Sequence, residues 1–249
     1  MLYYIFFIIC FIEVINAIIK NESEFISSLR STNEIVTINI NSEIDIKNEF
    51  TVNSSIKKLI ITGGSQDTSK INFRYPIKFN STLEEIFIES INITGTLFFK
   101  DNKYISLNEV DLNGYIDSDF NKNTNKNIEI NNLTYTPGKE SVENCIYLGG
   151  NVKINNSSFY GNSSCHNRII HYYGLEYYRL FVRKSHFDGK YNCALLSIEK
   201  ASNSLIENTT FINGYSSKSV NGGYMILKKK FFFSLLHILQ LLIFFCLLN

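Results

Sequence analysis

Six-residue frames that open and close on an apolar residue recur through the middle of the chain: 88–93, 107–112, 130–135, 154–159, 182–187 and 206–211. The closing residues are Ile93, Leu112, Tyr135, Phe159, Phe187 and Phe211, separated by 19, 23, 24, 28 and 24 residues. A glycine follows each within three positions, at Gly95, Gly114, Gly138, Gly161, Gly189 and Gly214. Ile35–Ile40 and Leu59–Ile61 are less regular copies upstream. A period near 24 with β-branched residues and recurrent turn glycines is the mark of a solenoid. Each copy is too short for a helix pair and lacks a leucine scaffold. These features predict a β-solenoid of about eight turns, each contributing two or three short parallel strands to an Ile-, Val- and Phe-filled interior, in a rod of roughly 40 Å.

The pattern changes at residues 21–31. Asn21 with Glu24 three positions on forms a capping-box signature, and Phe25, Ile26 and Leu29 share one helical face. A short helix within 18–32 is therefore predicted to cover the N-terminal end of the solenoid, which spans 33–223. Composition agrees with an all-β chain: 36 Ile and 15 Tyr against three Ala. The net charge of +1 gives no reason to invoke nucleic acid.

The two ends are apolar. Residues 1–17 close on Ile15-Asn16-Ala17 and read as a secretory signal peptide, with an uncleaved anchor or a buried strand as alternatives. Residues 231–248 form an apolar stretch predicted to be helical, preceded by Lys228, Lys229 and Lys230. Its 18 residues suffice to span a bilayer. Asn221-Gly222-Gly223 followed by a short spacer also fits lipid-anchor attachment at Asn221. A transmembrane tail and an incomplete gene model are the other readings of 224–249. Secretory-pathway delivery, cell-surface location and membrane attachment through the C-terminal segment are the expectations.

The Asn-Ser-Ser-Phe159, Asn-Thr-Thr-Phe211 and Asn-Gly-Gly223 phrases, with the helix-then-strand start, resemble the right-handed parallel β-helix, or pectin-lyase-like, superfamily and in particular its non-catalytic cell-surface members. The resemblance covers residues 21–223 and implies a right-handed parallel β-helix. The enzymes of that superfamily use acidic clusters with Ca²⁺ and an arginine, or a trio of aspartates. The corresponding Asn-Thr-Asp, Asp-Asp, Gly-His-Gly and Arg-Ile-Lys phrases are absent from this sequence.

Candidate chemistry is sparse, and no cofactor is expected. Nine Asn-x-Ser/Thr sequons occur. Asn53, Asn80 and Asn162 are the candidates for glycosylation. Asn132, Asn156 and Asn208 share the slot three before the closing aromatic and are candidates for a stacked asparagine ladder. Cys165 and Cys193 each lie six residues after a closing Phe, so stacking predicts a disulfide between them, or two stacked thiols, with Cys145 free. His166, His171 and His186 lie near Arg168, Arg179 and Arg183 but without a carboxylate at a recognisable spacing. Asp117 and Asp119 form a candidate Ca²⁺ pair or a polar turn. The Tyr-rich stretch 171–178 reads as an aromatic sugar platform or as strand positions. The functional expectation is a non-enzymatic adhesive, structural or ligand-displaying surface protein whose partners are extracellular carbohydrate or protein. The alternatives are a polysaccharide lyase or glycoside hydrolase on the same scaffold, and a fragment of a larger surface protein.

Overall fold

A computed structural model describes residues 15–118, 125–140, 142–175, 177–200, 203–215 and 225–228. The elements begin with β1 (Ile15–Ile19), α1 (Glu22–Leu29), β2 (Ile35–Ile40), β3 (Glu43–Ile46), β4 (Lys58–Gly63), β5 (Lys70–Phe73) and β6 (Ile77–Phe79). Two long strands follow, β7 (Glu85–Phe99) and β8 (Tyr104–Ser118), then β9 (Asn127–Asn131), β10 (Thr134–Pro137), β11 (Val142–Gly149), β12 (Asn151–Asn155) and β13 (Ser158–Tyr160). The chain continues through β14 (Cys165–Tyr173), β15 (Arg179–Arg183), β16 (His186–Asp188), β17 (Ala194–Glu199), β18 (Asn203–Glu207), β19 (Thr210–Ile212) and β20 (Met225–Lys228).

Every strand pairing is parallel and joins one turn to the next. Three faces result. Face A stacks β1, β2, β4, the first third of β7 and of β8, β9, β12, β15 and β18. Face B stacks β3, β5, the middle of β7 and β8, β10, β13, β16 and β19. Face C stacks β6, the ends of β7 and β8, β11, β14, β17 and β20. The chain is a parallel β-solenoid of about eight turns, as the repeat predicts.

The register is the one the closing residues define. Ile93 pairs with Leu112, Leu112 with Tyr135, Tyr135 with Phe159, Phe159 with Phe187, and Phe187 with Phe211. The rings stack: Phe159–Phe187 centroids are 4.7 Å apart and Phe187–Phe211 4.8 Å. On face A, Ile38, Ile61, Ile88, Leu107, Ile130, Ile154 and Val182 form one buried column.

The recurring phrase Asn-(Ser/Thr)-(Ser/Thr)-Phe can be decoded residue by residue. Its first position turns the corner from face A to face B with positive φ: Ser90, Glu109, Asn132, Asn156, Lys184 and Asn208 have φ of 47–53°. Asparagine is among the few residues that enter this region at low cost. The second position points inward and satisfies the corner. Ser157 Oγ accepts from Leu133 N and donates to Asn155 O, while Ser185 repeats this one turn on with Ser157 N and Arg183 O. The third position faces out, and the fourth joins the aromatic stack.

The capping helix forms as predicted. Asn21 Oδ1 accepts from Glu24 N at 3.0 Å, and the Glu24 carboxylate reaches back to accept from Lys20 N, one residue before the cap, at 2.8 Å, a variant of the capping box. Phe25 and Leu29 are fully buried, with Phe25 edge-on to Phe50. The first rung, β1, precedes the helix and runs through the Ala17 junction, pairing with β2 from Ile15↔Val36 to Ile19↔Ile40. At the other end β20 lies in the expected spacer and pairs with β17 on face C. Residues 1–14, Asn221 and the apolar stretch 231–248 lie outside the described residues. Among the described residues no helix is long and apolar enough to cross a membrane.

Candidate functional site

Strand alternation and turn length bring a polar and aromatic group together on the outside of face C. The register Asp117↔Tyr147↔His171↔Ser197 puts four residues in one column, with Asp117, Tyr147 and His171 half-buried and Ser197 fully buried. The next outward column carries Gly149, Tyr173 and Glu199. His171 Nε2 lies 3.5 Å from Glu199 Oε2, and the Tyr147 ring stands edge-on to the imidazole at 5.3 Å. Arg168 donates from its guanidinium to Ser197 Oγ at 3.0 Å. Lys200 donates to the Tyr173 hydroxyl and sits 4.9 Å above that ring. The Tyr173 hydroxyl beside the ammonium raises the Lys200 pKa. The arrangement brings two aromatic rings, a His–Glu pair 3.5 Å apart and two cations together within three turns. Both His171 ring nitrogens are buried, so the groups this surface offers a hydroxyl-rich ligand are the Tyr147 and Tyr173 rings with the Glu199 carboxylate and the Lys200 ammonium beside them.

No family model, curated protein or solved structure matches this chain.

The structure separates residues that lie close together in sequence. His171 and Arg168 belong to face C, His186 to the outside of face B near Tyr160, and Arg179 and Arg183 to the outside of face A. The His166 side chain lies outside the described residues. The partner the histidines lacked in sequence is Glu199, 28 residues beyond His171 and one turn away. The signal for it is the turn length, which is visible only once the register is known. Of the Tyr-rich stretch, Tyr172 and Tyr178 are buried and Tyr172 donates to Gly150 O at 2.8 Å. Only His171, Tyr172 and Tyr173 are strand positions, closing β14, whereas Gly174, Leu175, Tyr177 and Tyr178 lie in the connection to β15, where Tyr177 is exposed. Asp117 is on the outer column, whereas Asp119 lies outside the described residues. No group of three metal-ligating side chains is assembled among the described residues.

The expected Cys165–Cys193 bridge is not formed. Cys165 is joined instead to Cys145, across a Cα–Cα distance of 5.8 Å, and Cys193 is a buried free thiol. Equal offsets from a closing Phe do not survive the loop into face C. Arg168 pairs with Ala194, so the residue level with Cys193 is Asn167. Cys165 enters β14 opposite Val142, one rung from Cys145, just before a register shift. Burial pushes the Cys193 thiol up to about 12. Non-reducing peptide mapping is expected to recover a 145–165 cross-linked peptide and an alkylatable Cys193 after denaturation. A 165–193 peptide would contradict this arrangement.

The asparagines also differ from expectation. Asn132, Asn156 and Asn208 do occupy one column, but in its left-handed corners with exposed side chains rather than as a buried amide ladder. The amide-to-amide bonds sit one residue earlier, where Asn155 Nδ2 donates to Asn131 Oδ1 at 2.9 Å. A second set of asparagines ties turn to turn by donating to backbone carbonyls: Asn53 to Arg30 O, Asn80 to Val52 O, Asn102 to Leu83 O and Asn162 to Pro137 O. Asn53, Asn80 and Asn162, the glycosylation candidates, thus use the nitrogen a glycan would occupy.

Proposed function

We propose that the protein is a non-enzymatic surface protein, a right-handed β-helix of the pectin-lyase-like kind that presents the outer side of face C to an extracellular carbohydrate. A leader at 1–17, whose last three residues also enter β1, and an anchoring segment at 224–249 that contains β20 would place it on the cell surface. The observation that carries the ligand reading is the alignment of Tyr147 and His171 in adjacent turns beside Tyr173, Glu199 and Lys200. Right-handedness is supported by the near-universal hand of parallel strand crossovers within a sheet.

The test is binding of the full-length protein to immobilised neutral and acidic oligosaccharides. Saturable binding is expected, reduced at least about tenfold, which corresponds to about 1.4 kcal/mol, by Tyr147→Ala with His171→Ala. Absence of binding, or binding indifferent to both substitutions, would overturn the reading. A second reading is cleavage of an acidic polysaccharide at the His171–Glu199 pair, whose imidazole nitrogens are buried and would have to open to the substrate. Shortened products in the same incubation, lost with His171→Ala, would establish it over display.

A further inference from the structure

We propose that the N-linked glycans of this protein line one edge of the solenoid, at Asn132, Asn156 and Asn208. The inference rests on the proposed secretory route. A glycan replaces a hydrogen on Nδ2 and must project into solvent, so a tolerated site needs an exposed amide whose nitrogen is not holding the fold together.

Most of the nine sequons fail that requirement. Asn21 is locked into the helix cap, with Nδ2 given to Glu24 and Oδ1 accepting from the backbone. Asn53, Asn80 and Asn162 are half-buried and give Nδ2 to carbonyls of the preceding turn at 3.1, 2.7 and 2.9 Å. Asn155 gives Nδ2 to Asn131, and its sequon hydroxyl, Ser157, is buried and bonded to the backbone. Asn92 is half-buried on the outer side of face B, level with Lys70 and Asp111.

Asn132, Asn156 and Asn208 meet the requirement together. All three are exposed, and all three hold the positive-φ corner between faces A and B. Asn155 pairs with Asn131 and Arg183, and Arg183 with Glu207, so the next residues, Asn132, Asn156, Lys184 and Asn208, follow one another up a single edge. Adjacent rungs are only about 4.8 Å apart. Glycans on Asn132 and Asn156 therefore crowd each other, while Lys184 separates Asn156 from Asn208. Sugars on this edge leave the outside of face C uncovered.

The test expresses the full chain in glycosylating eukaryotic cells in two forms, one with its own N-terminus and one with an established secretory leader before Met1. Glycopeptides are mapped before and after enzymatic deglycosylation. In the leader form, glycan is expected on Asn208 and on Asn132 or Asn156, with Asn53, Asn80 and Asn162 bare. Thr134→Ala, Ser158→Ala and Thr210→Ala together remove the three sequons while keeping the corner asparagines. That variant is expected to be secreted without any mass change on deglycosylation. Glycan on Asn53, Asn80 or Asn162 with a bare edge, or no glycan at all in the leader form, would overturn the assignment. An occupied edge in the leader form beside an unglycosylated native form would remove the secretory reading and leave the site assignment standing.

Discussion

Replacing Gly114 by alanine is expected to cost more than about 4 kcal/mol, enough to unfold a domain of ordinary stability. Gly95 and Gly114 are stacked partners where β7 and β8 pass without a break from face B to face C. A Cβ on Gly114 would collide with the Gly95 carbonyl oxygen and lie 2.6 Å from its carbon. The obstacle is backbone, so no side-chain rotation relieves it. Separating the two turns would break the ladder on both sides of the corner. It would also disturb the bond from the Tyr135 hydroxyl to Gly114 O, 2.8 Å long and buried, which ties the next turn to the same glycine. Gly138, one turn further on, is the internal control: its added Cβ would meet the Tyr115 ring edge at 3.0 Å and Gly114 Cα at 3.3 Å, tight contacts that a shift of a few tenths of an ångström relieves, rather than a collision with a carbonyl oxygen. Urea denaturation followed by far-ultraviolet circular dichroism checks the pair. Gly114→Ala should leave little folded protein, whereas Gly138→Ala should lose at most about 1–2 kcal/mol, within the range of ordinary destabilising substitutions. Equal midpoints for the two variants would show that the close stacking of Gly95 and Gly114 does not constrain the fold.

What could be read from the sequence was whatever repeats with the turn. The closing residues from Ile93 to Phe211 state the face B register directly, because inward positions recur once per turn whatever lies between them. The Asn21–Glu24 box is local and equally readable. Features that depend on how much chain the loops consume were not readable. Turn lengths vary, so neither the partner of His171, Glu199, nor that of Cys165, Cys145, follows from a fixed offset. The strand at Ile15–Ile19 sits in an apolar run that reads equally well as a leader, and its role appears only in its pairing with β2. Asparagine is ambiguous for a different reason. Its side chain serves left-handed corners, inter-turn hydrogen bonds and glycans alike, and only the backbone angle shows that Asn132, Asn156 and Asn208 stand at corners.

The second large effect is expected at Phe159. Its ring is fully buried, lies 4.7 Å from Phe187 at 15° and 6.2 Å from Tyr135 at 42°, and so has an aromatic neighbour in the turn on either side. Truncation to alanine removes the transfer free energy of the ring and leaves a cavity between two rungs whose spacing is held by backbone hydrogen bonds and cannot contract to fill it. The expected loss is about 3–5 kcal/mol. Phe211 tests whether the stack or the ring alone carries this. It lies 4.8 Å from Phe187 at 16°, but it is the last member of the described stack and is only partly buried. With one neighbour and partial exposure, Phe211→Ala should cost less than Phe159→Ala by at least about 1 kcal/mol, of the order of one aromatic pair plus the difference in burial. The solenoid sharpens this contrast, since its stability is a sum of turn and interface terms. A defect at Phe159 weakens interfaces on both sides and lies among turns that must hold together. A defect at Phe211 loosens the terminal turn. Proteolysis under native conditions separates the two, with cleavage confined to the C-terminal turn in Phe211→Ala and spread through the turns from 135 to 187 in Phe159→Ala. Equal unfolding costs with the same cleavage pattern would mean that the aromatic column is filler and that the aliphatic columns of face A alone hold the turns together.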